Sequence, residues 1–119
     1  MLTLEDIKNN LDLINAIDWN ITPEEAVTLY LEWGNNWSHG NYVIRSKQDV
    51  SHYFVINYWQ DRPIIYLIRR NSEEAKEIAQ MNMPPDLEKQ FVQAMGKNKG
   101  VYAIDGSIKQ WLKQTLSIN

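Results

Sequence analysis

Five tryptophans and six tyrosines in 119 residues are the side chains with the clearest capacity for recognition chemistry. Large rigid rings bring contact area at low entropic cost, which suits binding surfaces as well as cores. Trp33 and Trp111 fall on apolar helical stripes and already have a place in a core. Trp37 and Trp59 do not, and they are the aromatic candidates for function.

The segment Gly34-Asn35-Asn36-Trp37-Ser38-His39-Gly40-Asn41 gathers amides, a hydroxyl, an imidazole and an indole between two apolar runs. Loops of this composition can set polar groups around a small molecule. The candidate ligand pocket is Asn35, Trp37, His39 and Arg45. Ordinary turn geometry accounts for the same glycines and asparagines.

His39 and His52 are the two histidines, and cysteine is absent. A zinc or iron centre needs three or four converging ligands, and neither H-x-x-x-H nor H-x-H spacing occurs, even with Asp49 close by. No metal site is expected. A histidine base has no G-x-S-x-G or comparable nucleophile beside it. No catalytic residue and no cofactor is assigned, and the reading leans away from an enzyme. Gly96-Lys97-Asn98-Lys99-Gly100 fails the G-x-x-x-x-G-K-[ST] pattern and precedes a strand, so it reads as a basic turn after a helix. Arg69 and Arg70 are neighbours on a strand and point to opposite faces. The aromatic RNA-binding signature is missing and the formal net charge is -3, so nucleic acid is not an expected partner.

These residues must be held by local elements. Thr3 can cap a helix carrying Leu4, Ile7, Leu11 and Ile14, although Asn9, Asn10 and Asn15 weaken it. Asp18-Trp19-Asn20 is a break. Thr22-Pro23-Glu24-Glu25 is a strong helix start, with a cap, a first-turn proline and a capping-box glutamate. Three strands follow, at Asn41 to Arg45, His52 to Trp59 and Ile64 to Arg69, rich in β-branched and aromatic residues. Gln60-Asp61-Arg62-Pro63 would link the last two, placing Trp59 opposite Ile64, Ile56 opposite Leu67 and Val55 opposite Ile68. Ser72 would cap a helix from Glu73 to about Gln80. A further helix runs from Leu87 to Met95, closed by Gly96, and Gly100 to Ile104 is a short strand. Asp105 or Ser107 caps a final helix with Ile108, Trp111, Leu112 and Leu116 as its stripe. The order ααβββααβα predicts a single α+β domain over residues 1–119, built on an antiparallel meander with about five helices.

Both faces of the central hairpin are largely apolar. One face is expected to meet helices, and the other needs more protein, a ligand or a partner. The charges are also segregated. Glu5, Asp6, Asp12, Asp18, Glu24, Glu25 and Glu32 stand against Lys8 in the first 33 residues, and Arg45, Lys47, Arg62, Arg69 and Arg70 outnumber Asp49 and Asp61 in the next stretch. The leading expectation is a non-enzymatic protein-interaction module, a homodimer or an adaptor, with Tyr53, Val55, Trp59, Tyr66 and Ile68 as the contact surface. The alternative is a small-molecule binding domain using the Trp37–Asn41 loop. No stretch approaches the roughly 18 apolar residues that cross a bilayer. With no cysteine and no secretory leader, the expected location is the cytoplasm.

Overall fold

The computed structural model describes residues 1–26, 52–70 and 75–116. The elements run α1 (Leu4–Lys8), α2 (Leu11–Ala16), α3 (described over residues 23–26), β1 (His52–Tyr58), β2 (Ile64–Arg70), β3 (Ala75–Met81), α4 (Pro85–Met95), β4 (Gly100–Ala103) and α5 (Gly106–Thr115). The four strands form one antiparallel sheet in the order β3-β2-β1-β4, and the fold class is α+β. The expected strand at Asn41 to Arg45 lies outside the described residues, as do Trp33 and the four pocket candidates Asn35, Trp37, His39 and Arg45.

The helix expected across the first fifteen residues is instead two. Thr3 opens α1 through a reciprocal capping box, its hydroxyl accepting from the Asp6 N–H while the Asp6 carboxylate accepts from the Thr3 N–H. The asparagines then divide the apolar stripe instead of merely weakening it. Asn9 ends α1, and the Asn10 side chain accepts from the Leu13 N–H to start α2. An Asx side chain competes with the backbone for exactly such a start, which is why a pair of asparagines makes a junction. At Thr22 the expected start holds. Its hydroxyl accepts from the Glu25 N–H at 3.2 Å, and the Glu25 carboxylate accepts from the Thr22 hydroxyl at 3.0 Å.

The expected helix from Glu73 to Gln80 is overturned, because Ala75–Met81 is strand β3. Its residues are good helix formers, but as a helix the segment would offer one large apolar side chain, Ile78. As a strand it pairs with β2 and turns Ala79 and Met81 into the core. A helix preference of a few tenths of a kcal/mol per residue is outweighed by the ladder and that burial. The pairing is not regular. Leu67 stands opposite Ala79 while Ile68 stands opposite Glu77, so Ile78 is the extra residue of a β-bulge. The outer edge of β3 is met at the bulge by the N-terminus, where the Leu2 N–H donates to the Ile78 carbonyl at 2.8 Å.

Strand β4 joins the main sheet beside β1, with Tyr102 opposite Ile56 and Gly100 opposite Tyr58. The hairpin of β1 and β2 has a register two residues looser in sequence than expected, with a longer turn. Asn57 pairs with Ile64, Ile56 with Ile65 and Val55 with Tyr66. A shift of two leaves every side chain on its expected face, whereas a shift of one would have exchanged the faces. Its main effect is to release Trp59 from the ladder.

The sheet is covered on both sides. Phe54, Ile56 and Tyr58 of β1, Ile65 and Leu67 of β2, and Ala79 and Met81 of β3 form the larger core with Ile7, Ile14, Phe91, Leu112 and Leu116 from four helices. Trp19 packs on Phe54 at 5.4 Å between ring centroids, and Phe91 meets both Tyr58 and Tyr102 edge-on at 5.5 Å. On the opposite face Tyr53, Val55, Ile68 and Val101 form a smaller core around Ala26, flanked by Ile21, Tyr66 and Ala103. The second apolar face of the hairpin is therefore satisfied within the chain over this stretch.

Candidate functional site

That second core decides what the five contact residues can do. Tyr53, Val55 and Ile68 are fully buried in it, so they are core residues and do not form an exposed contact face. Trp59 and Tyr66 remain. Trp59 is 58% exposed, while Tyr66 is half-buried at the end of the same face. Both line an open groove of about 330 Å³ at the hairpin tip, together with Asn57, Gln60, Asp61, Arg62 and Ile64. Asn57 and Ile64 are the last ladder pair, Tyr66 stands two residue pairs behind them, and Trp59 to Arg62 lie in the turn.

The tip is tied down at several points, and each tie follows from the sequence nearby. Pro63 is fully buried and fixes the return of the chain into β2. The Asn57 side chain accepts from the Trp59 N–H at 3.2 Å, a local turn bond of the kind asparagine favours. Lys99 donates to the Gln60 carbonyl at 2.8 Å, and its ammonium lies 3.9 Å from the centre of the Tyr58 ring. The Tyr58 hydroxyl donates to the Gly96 carbonyl at 3.3 Å. Gly96 can end α4 there because its φ of 58° is costly for any residue with a Cβ. The basic turn after α4 thus has a role that its charge pattern alone did not disclose: it is the clamp on the hairpin.

Charge in the groove is partly consumed. Arg62 donates through Nε and Nη2 to one carboxylate oxygen of Glu88, at 3.3 and 3.0 Å. Asp61 is exposed, and its carboxylate takes no hydrogen bond or ion pair among the described residues. Burial raises the Tyr66 phenol above its usual value, and the carboxylate of Glu77 on β3 adds to the rise. Glu77 itself is raised by burial. Tyr66 therefore stays a neutral hydroxyl across the physiological range. The described lining supplies an aromatic shelf, two amides, a phenol, a carboxylate and a neutralised guanidinium. This is a set for recognising a group, with no nucleophile beside a base.

Other parts of the molecule are less equipped. A cleft of about 250 Å³ between α4 and α5 is lined by Ile56, Phe91, Met95, Tyr102, Ala103 and Ile108, with Pro23 and Asp105 at its rim. The Asp105 carboxylate is occupied in capping α5 through the Gly106 N–H at 2.7 Å. His52 is half-buried beside Arg69, away from the groove. Among the described residues no three histidine or carboxylate side chains come together as metal ligands, and no helix is long and apolar enough to cross a membrane. No protein-family model matches the chain, and no match to it was found among the curated proteins or the solved structures.

Proposed function

We propose that this chain is a non-enzymatic protein-interaction module that docks through the tip of the β1–β2 hairpin, with Trp59 as its anchor. The observation that carries the reading is a tryptophan left 58% exposed on a turn that is otherwise fixed by Pro63, Lys99 and the Arg62–Glu88 pair. Covering the rest of that ring would be worth on the order of 3 kcal/mol of hydrophobic stabilisation. A pre-fixed anchor loses little entropy on docking, which is the property that makes an exposed aromatic useful. The partner is a protein, either a second copy of the chain or another protein that it adapts. The acidic N-terminal stretch and the absence of cysteine favour a cytoplasmic setting without nucleic acid as a partner.

The test is native mass spectrometry and light scattering of the intact chain, alone and with any protein that co-purifies with it. Trp59→Ala and Tyr66→Ala are expected to lower the assembly state while the far-ultraviolet spectrum stays unchanged. An assembly indifferent to both substitutions would remove the hairpin tip from the interface.

A second reading, a small-molecule binding domain, has one observation in its favour. The groove volume of about 330 Å³ lies at the lower end of the usual range for ligand sites. A monomer carrying extra mass in the same native spectrum would favour it. The loop site that the sequence suggests for such a ligand, at Asn35, Trp37, His39 and Arg45, lies outside the described residues.

A further inference from the structure

We infer that the groove at the hairpin tip receives an arginine side chain presented by a peptide segment of another protein. The inference deepens the docking reading above and rests on it. It starts from what the groove has left to offer after its internal bonds are counted. Among the described lining residues the cation is Arg62, and it is already held by Glu88, so an anionic group would find that counter-charge spent. The carboxylate of Asp61 has no partner among the described residues. The amide oxygen of Gln60 and the phenol oxygen of Tyr66 are further acceptors along the same walls. Among the described residues the groove therefore offers neutral acceptors, an unpaired carboxylate and an exposed tryptophan.

A planar, permanently charged guanidinium meets all three conditions. It stacks on an indole, attracts a carboxylate through a two-pronged hydrogen bond, and has further N–H groups for neutral acceptors. An ammonium would use the charge but not the fork or the stacking. Trp59 and Tyr66 both line the groove. The fold already uses the cation–aromatic contact twice, with Lys99 on Tyr58 and Lys113 on Trp19.

The experiment is a titration of the full chain, labelled with nitrogen-15, with acetyl-Gly-Arg-Gly-amide, and with its uncharged counterpart in which citrulline replaces arginine. The indole N–H resonance of Trp59, identified as the one lost in Trp59→Phe, is the readout. The arginine peptide is expected to move that resonance, with the citrulline peptide about tenfold weaker or more. Asp61→Asn, at an exposed turn position, is expected to cost the arginine peptide about fivefold or more and leave the citrulline peptide unchanged. Glu88→Gln releases Arg62 and weakens the arginine peptide as well. Equal binding of the two peptides, or insensitivity to Asp61→Asn, would overturn the proposal. So would a fixed Trp59 resonance throughout the titration. In that last case a Trp59-dependent assembly in the mass measurement would leave the docking reading intact and show that its partner uses other chemistry.

Discussion

Trp59 shows what two residues of register can do. Had it paired with Ile64, it would have sat in the ladder. With Asn57 in that place, the indole is carried onto the turn and left in water. Trp59→Ala should accordingly cost about 1–2 kcal/mol in urea denaturation, less than a fully buried tryptophan, because more than half of the residue is exposed. Two titrating residues carry opposite signs. Glu77 is raised by burial, so its contribution is favourable below its unfolded value and is lost as pH rises through the folded one. Glu77→Gln should then stabilise the fold at pH 7 by about 0.5 kcal/mol after solvent screening, and by nothing measurable near pH 4. His52 is lowered, first by burial and then by Arg69. Its stabilisation is present above the unfolded value and disappears as pH falls, so His52→Gln should flatten the stability curve between about pH 7 and 5. The candidate site was legible in part. Trp59 and Tyr66 stood out by residue type, but Tyr53, Val55 and Ile68 look identical in sequence whether a partner or the chain itself covers them. Lys99, Gly96 and Glu88 could not be tied to the hairpin, since contacts across 26 to 39 positions leave no local pattern.

At the scale of elements, boundaries set by caps were readable and those set by long-range pairing were not. Thr3, Thr22 and Asp105 each bond a backbone N–H within three residues, and the chain declares such starts locally. The α1–α2 junction was missed because hydrophobic spacing continues across Asn9 and Asn10, while the break depends on a single side-chain bond. Asn10→Ala should cost about 1 kcal/mol by removing the α2 cap, seen as a lower midpoint with an unchanged slope in urea. Strand β3 is the sharper failure. Its local preference is helical, and only the free edge of β2 and the space for Ala79 and Met81 turn it into a strand. An isolated peptide of residues 72–83 should therefore show helix, not strand, by circular dichroism in helix-promoting solvent. A strand signal there would mean that propensity had been misjudged.

For the whole molecule, the two cores share one sheet, and neither can dissolve without exposing the back of the other. Leu67→Ala in the larger core and Ile68→Ala in the smaller one should each cost about 2–5 kcal/mol. Both should shift a single transition seen alike by tryptophan fluorescence and circular dichroism, and separated transitions would show that the faces unfold independently. The same wiring has a consequence for the order in which the chain can become a protein at all. Leu2 rests on the bulge at Ile78, and β1 is flanked on one side by β4, which ends at Ala103. A ribosome makes the first of these partners long before the second. Leu2, Ile7 and Ile14 are therefore made well before β3 and α5, which help to cover them, and stay uncovered in the interval. Closure of β1 on its β4 side thus waits on the synthesis of Gly100–Ala103, and the exposed carboxylates of Glu5, Asp6 and Asp12 flank the waiting apolar residues meanwhile.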